Sequence, residues 1–362
     1  MDSRPALTPA LSEPPQPVSL RRPSGLPRAL KLAGRFALVI FFTYLGLLAV
    51  TFFIGRVMPI DPVLAIVGDR APANVVARTR LELGLDKPLP EQFVIYVGQL
   101  AQGKFGSSVM TGNRVTQDIA RFFPATLELA TVALVVALGV GVPLGVLAAS
   151  RQGSWVDQVV RVVCLSGSSI PVFVLALVAL LVFYATLGWA PGPGRQDVLY
   201  QDGVPPRTGL LLIDAALAQD WDSLHDAARH IALPALVLAA LNTANVARMT
   251  RAFMLDALSS EFIITARAKG LSTTRVLWRH AFGNILVRLI TVVALAYAGL
   301  LEGAVLTETV FSWPGLGQYL TGSLLNADMN AVLGATLVVG LTYVGLNLAA
   351  DLLYRVLDPR VA

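Results

Sequence analysis

The spacing of apolar blocks constrains this chain most. FALVIFFTYLGLLAVTFFIG runs from Phe36 to Gly55 without a charged residue. A block of about 20 residues is what a helix needs to cross a hydrocarbon layer about 30 Å thick. Five more blocks follow: about Ala125 to Ala149, about Val162 to Trp189, Ile231 to Ala247, Ile285 to just before Trp313, and Ala331 to Tyr354. Only 14% of the 362 residues are charged and 55% are hydrophobic. A soluble domain carries about 25% charged residues. The pattern predicts an all-α integral membrane protein with six transmembrane helices.

Basic residues in short loops set the orientation. The first stretch carries Arg4, Arg21, Arg22, Arg28, Lys31 and Arg35, and the link between blocks two and three has Arg151 and Arg161. The 261–282 stretch and its flanks hold Arg248, Arg251, Arg267, Lys269, Arg275, Arg279 and Arg288. The segment between blocks five and six has no Lys or Arg, and Ala190 to Asp226 has only Arg195 and Arg207. Both termini and the 261–282 stretch are therefore expected on the cytoplasmic side. The net charge of +5 belongs to these loops and does not point to nucleic acid.

The same reading divides the chain. Residues 1–35, rich in Pro and Arg, are expected to form a disordered cytoplasmic tail. Residues 36–57 form the first span, and 58–123 an external segment with helical pieces at 71–84, from about Pro90, and at 115–123. Pro124 is expected in the first turn of span two. Residues 124–357 form the core, with a cytoplasmic loop at 251–284, and 358–362 the cytoplasmic C-terminus. Pro171 in span three predicts a kink.

The chemistry is sparse. Cys164 stands alone, and His225, His230 and His280 lack metal-ligand spacing. There is no GxSxG, HExxH or CxxC. Of the four lysines only Lys104 follows a glycine, and Phe105 comes next, so no phosphate-binding loop is present. No catalytic or metal-binding residue is predicted. If ATP is used, another subunit hydrolyses it.

One stretch breaks the apolar pattern: EFIITARAKGLSTTRVLWRHAF, residues 261–282. A helix is expected from about Leu255 to Lys269, with Arg267 and Lys269 suiting the C-terminal dipole. Gly270 fits the left-handed position after a helix. Ser272 is expected to cap the next helix, with Leu271 and Val276 at the staple positions. The result is a compact elbow suited to docking on a partner.

Together with His280-Ala281 and Asn284, TARAKGL (265–271) resembles the cytoplasmic loop of ABC-importer permeases. The subfamily is the first (B-type) permease of peptide, opine and nickel uptake systems. LGLDKPLPEQF (83–93), GKFGSS (103–108), PATLELA (124–130), GVPLGVLAA, SIPVF, HIALPALVL, GAVLTETVFSWPGLG (303–317) and NLAADLLYRVLDPR (347–360) carry the resemblance over nearly the whole chain after the tail. The departures are Ile60 in Pro59-Ile60-Asp61-Pro62, Phe282-Gly283-Asn284, and Arg288, which is expected to snorkel.

The resemblance implies the type I ABC-importer permease fold in a bacterial inner membrane, with a helical periplasmic segment between helices one and two. It implies a permease subunit, not an enzyme, that moves a small solute. Di- or oligopeptides come first; nickel complexes, opines, glutathione and sugar derivatives remain alternatives. Its implied partners are a second homologous permease, two cytoplasmic ATPases holding ATP and magnesium, a periplasmic solute-binding protein and the lipid bilayer. The chain itself is expected to bind no cofactor. Thr265, Ala266, Arg267, Ala268, Lys269, Gly270, Leu271 and Ser272 would form the loop that couples to an ATPase. Glu128, Glu302, Glu308, Trp313, Pro314 and Gly315 are pathway or gate candidates. For Glu128 a first-turn helix-dipole role is favoured over substrate contact. Pathway lining and an inter-permease contact stand level for Glu302. Asn242 and Asn245 suit inter-helix hydrogen bonds, and Asn347 and Asp351 share one face. A secondary transporter or channel is the rival class, but no inverted repeat supports it.

Overall fold

The computed structural model describes residues 25–57, 62–68, 70–82, 84–201 and 203–357. Among these residues the regular structure is helical, apart from one antiparallel bridge between Ser107 and Arg114. The helices are α1 (Gly25–Val57), α2 (Pro62–Val67), α3 (Ala73–Glu82), α4 (Leu89–Ala101), α5 (Val115–Ser150), α6 (Trp155–Ser169) and α7 (Val172–Ala179). After a π-helical turn at Leu180–Thr186 come α8 (Leu211–Ala218), α9 (Trp221–Leu258), α10 (Glu261–Ala268) and α11 (Thr273–Arg275). A second π-helical stretch, Val276–Phe282, leads into α12 (Gly283–Phe311), α13 (Leu316–Leu325) and α14 (Met329–Leu357).

Four described helices are long and apolar enough to cross a membrane: Val115–Ser150, Trp221–Leu258, Thr273–Phe311 and Met329–Ala350. Ala37–Phe53 and Val172–Thr186 are shorter apolar helices. The chain divides into two units, one ending at Leu45 and the other beginning at Gly46. In the first, α1 turns Leu38, Val39, Phe41 and Phe42 outward.

The second unit is built around α5, α9 and α12. Their contact is lined by small residues: Ala125, Ala130, Ala133 and Ala137 of α5 meet Ala235, Leu238 and Ala239 of α9 and Leu300 and Ala304 of α12. Small side chains let helix backbones approach, which is how helices associate where lipid removes the hydrophobic drive. Gly145 shows the limit: a Cβ there would lie 2.6 Å from the Ala247 carbonyl and from Thr250 Cβ.

Several boundaries differ from expectation. Residues 25–35 are helical, because Leu, Arg, Ala and Lys there favour a helix over a disordered tail. The rest of that tail and residues 58–61, with the Pro59 to Asp61 departure, lie outside the described residues. Helix α5 begins at Val115 and runs through Pro124, so this proline is interior. The third apolar block breaks at Ile170, which is extended, and restarts after Pro171. Proline drives its preceding residue out of the helical region, so the chain breaks where a kink was expected. The fourth block sits inside the 38-residue α9.

The segment between α1 and α5 folds as helices α2 to α4, and Gly84 ends α3 with φ 66°. Its last part is tied to α14. Asp328 accepts Ser108 Oγ at 2.5 Å and the Met110 N–H at 3.1 Å. Asp118 accepts the Thr111 hydroxyl, Asn113 Nδ2 and Tyr319 Oη. Both carboxylates are buried and held by donors rather than by cations.

Candidate functional site

Helix α12 joins two turns. The elbow precedes it, and the Trp313-Pro314-Gly315 turn follows. At 1.5 Å per residue the 29 residues of α12 separate them by about 43 Å, so they lie at opposite ends of the bundle.

The elbow begins with a break. One helix was expected from Leu255 to Lys269, but α9 stops at Leu258 and α10 starts at Glu261. Ser259 and Ser260 both donate their hydroxyls to the Asp256 carbonyl, at 2.9 and 3.0 Å. Such local bonds compete with helix continuation, and Ser260 leaves the helical region.

Helix α10 then closes as a Schellman motif. The Gly270 N–H bonds the Arg267 carbonyl at 2.9 Å, and the Leu271 N–H bonds the Ala266 carbonyl at 3.3 Å. Gly270 has φ 74°, which a side chain would strain. Ser272 occupies the N-cap position of α11, yet its hydroxyl makes no capping bond. The expected serine cap is absent, and Val276, packed with Leu271, anchors the restart.

The underside of the elbow is apolar. Ile263, Ala266 and Val276 pack on Val146 and Ala149 of α5, Met254 and Ala257 of α9, and Ile285 of α12. Thr265, Arg267, Ala268, Lys269, Gly270 and Ser272 are exposed, as is Ile264. Leu271 is half-buried, and Ala266, expected on the docking face, points into the cluster. The elbow is a bonded corner welded to three long helices, with one face free.

An ion pair steadies the same end. Arg251 of α9 donates Nε and Nη2 to the two Asp157 oxygens at 2.6 and 2.8 Å. Asp157 is 2% exposed and also accepts the Gly153 N–H. The bond from Arg251 outweighs burial and draws the Asp157 pKa down to about 2. The bidentate pair ties the start of α6 to α9. Arg288 pairs loosely with Asp256 at 3.5 Å and lies over the Phe253 ring. It therefore engages α9 rather than only snorkelling.

The far turn is a buried bolt. Ser312 turns the chain with φ 50°. Trp313 is 1% exposed and donates its indole N–H to the Ala125 carbonyl at 3.0 Å. Fully buried Glu308 accepts the Thr126 hydroxyl at 2.6 Å and the Gln318 N–H at 3.0 Å. Thr126 in turn accepts the Leu316 N–H at 2.7 Å. A Cβ on Gly315 would overlap the Glu308 carboxylate. Pro314 is half-buried. The gate candidates Glu308, Trp313 and Gly315 are thus inside the fold.

Glu128 lies thirteen residues into α5, too far in for a first-turn dipole role. It accepts Arg195 Nη2 at 2.5 Å and Nε at 3.2 Å, and the Leu212 N–H at 2.7 Å. Arg195 also donates to the Gly209 carbonyl and sits 5.8 Å from the Trp313 ring centre. Asp214 resists burial by accepting the N–H groups of Arg207, Thr208 and Gly209 and the Thr208 hydroxyl, which leaves its pKa below the usual carboxylate value. Glu128 thus ties the loop between α7 and α9 to α5, and Asp214 braces that loop from within.

Glu302 differs from both acids. It is exposed on α12, on one stripe with Leu295, Gly299 and Leu306, and makes no ion pair or hydrogen bond among the described residues. Asn245 bonds Arg248 of its own helix, and Asn347 bonds the Tyr343 carbonyl of its own. No cluster of His, Cys, Asp or Glu suited to a metal occurs among the described residues. Sequence reasoning missed Thr126, Arg195 and the Asp157–Arg251 pair. Arg195 had one signal, as a rare cation in a loop that is otherwise nearly free of them.

Comparison with known proteins resolves the class. The family described as "Binding-protein-dependent transport system inner membrane component" matches residues 141–362. The N-terminal family of the same systems matches residues 30–130. The chain belongs to this permease family. It is 42% identical over 320 residues to a di/tripeptide transport system permease of Pseudomonas aeruginosa, covering 88% of this chain and 95% of the relative. It is 44% identical over 316 residues to a probable D,D-dipeptide transport system permease of Escherichia coli, covering 87% and 93%. A dipeptide transport system permease of Escherichia coli is 39% identical over 321 residues, covering 88% and 95%. The chain is thus a multi-pass inner-membrane permease of an ABC importer, a transport subunit rather than an enzyme. Its system includes an ATPase and a solute-binding protein.

Proposed function

We propose that this permease carries di- or oligopeptides and is driven through its elbow. The peptide transport systems to which its relatives belong support the substrate class. The observation that carries the mechanism is the elbow itself: a Schellman-closed corner with a free face and an underside packed on α5, α9 and α12. A push on that face moves three long helices together. The elbow, residues 265–272, seats in a cleft of an ATPase, which holds ATP and magnesium; this chain binds neither.

In this reading all six apolar blocks span the membrane, and both termini and the elbow are cytoplasmic. Residues 58–123 are periplasmic and, with the loop from Ala190 to Asp226, receive the solute-binding protein. A second homologous permease completes a heterodimer with two ATPases below. Glu302 lines the shared pathway, because an unpaired carboxylate at membrane depth is costly against lipid. The buried bolt around Trp313 holds the outer end of α12 while its inner end is driven.

The test is Gly270→Trp in the assembled transporter. The indole would project from the open face of the corner and block its seating in the ATPase, so uptake of a labelled dipeptide is expected to vanish while the permease still inserts and is stable. Uptake equal to the parent, with the ATPase still bound, would sink the coupling assignment.

A further inference from the structure

An apolar groove lies between α9 and the third apolar block, apart from the elbow. Its volume is about 470 Å³. Leu175 and Ala179 of α7 and Phe183 of the π-helical turn form one wall, and Leu233, Leu236 and Ala240 of α9 the other. The wall is π-helical at Leu180–Thr186, a wider winding than the α-helix before it. At one end stand Trp189 and Arg229. The Trp189 indole is exposed and lies 6.0 Å from the Phe183 ring centre. Arg229 is exposed and has no ion pair or hydrogen bond among the described residues.

Four features define the occupant. The walls are hydrocarbon. A free cation marks one end. An indole, the side chain that concentrates at headgroup level, stands beside it. The distance from Arg229 to Ala240 along α9 is about 16 Å at 1.5 Å per residue. That equals one leaflet of a hydrocarbon core about 30 Å thick. A helix is about 10 Å across and could not be seated in 470 Å³ over that length; an acyl chain can. We infer that this groove holds one anionic glycerophospholipid, with an acyl chain along α9 and the phosphate on Arg229. The lipid would fill the gap beside the π-helical turn and brace α7 against α9. Assignment to the outer leaflet rests on the orientation proposed above; the site itself does not.

The experiment uses the purified transporter complex in nanodiscs of equal phosphatidylglycerol and phosphatidylethanolamine. Native mass spectrometry reads the lipid retained on this subunit. The parent is expected to retain one lipid with phosphatidylglycerol preferred. Arg229→Gln is expected to cut that preference about fivefold, the value of one surface cation facing anionic lipid. Ala232→Trp fills the groove and is expected to abolish retention of both lipids in a complex that still assembles. Unchanged retention in Ala232→Trp would overturn the site. An unchanged preference in Arg229→Gln would overturn the headgroup assignment. A cross-link from Ala232→Cys to a partner subunit would show that protein covers the groove, and would also overturn it. Labelling of Arg229→Cys from the cytoplasmic side alone would sink the orientation while leaving the lipid result standing.

Discussion

The elbow and the far turn both connect helices at the ends of α12, yet they are built in opposite ways. The elbow is held by backbone bonds and an apolar underside, and its polar side chains face out. The far turn is held by buried side chains: Glu308 with Thr126, Trp313 with Ala125, and Glu128 with Arg195. A corner that presents a surface to another protein keeps most of its polar side chains out of long-range internal bonds. A corner that must only stay shut can turn them all inward. The difference is the one expected if, as proposed, the elbow docks and the turn anchors.

The two corners should therefore break under different substitutions. The largest effect is expected at Glu128. Glu128→Ala leaves the half-buried Arg195 without its carboxylate and the Leu212 N–H without its acceptor, which costs about 1–3 kcal/mol. Thermal unfolding of the purified complex checks it, and a loss below about 1 kcal/mol would show that the clamp is dispensable. Next is Gly270→Ala. The left-handed φ costs about 1 kcal/mol with a Cβ present, and nothing lies within 4 Å of that Cβ to add a clash. The same unfolding measurement should show a small loss with uptake retained. The smallest effect is expected at Ser272. Its hydroxyl makes no capping bond, so Ser272→Ala should change stability by less than about 0.5 kcal/mol. A larger loss would restore the serine cap.

Much of this architecture was legible in the sequence, because helix length and glycine chemistry are local properties. The apolar blocks mark the four long membrane helices and both shorter ones. Gly270 takes the left-handed conformation expected of it, and Leu271 and Val276 pack as the staple spacing predicts. Errors arose where tertiary packing decides. Nothing near Pro124 in sequence announces that Val115 to Ser150 is one helix. Thr126 and Glu308 are 182 residues apart, so no spacing rule pairs them. Ala266 looked like docking surface until the α5 and α9 packing turned it inward. Glu302 keeps its ambiguity for a physical reason: it meets no bonding partner among the described residues.

The most direct test of the central claim is a cysteine cross-link at the elbow. Lys269 is exposed beside Gly270, and Leu325 is exposed at the end of α13, on the far side of the turn. In the assembled transporter, Lys269→Cys should cross-link to the ATPase through a short bifunctional reagent, with a yield that changes when a non-hydrolysable ATP analogue is added. Leu325→Cys should not cross-link to it. An ATPase cross-link at Leu325→Cys and none at Lys269→Cys would contradict the account.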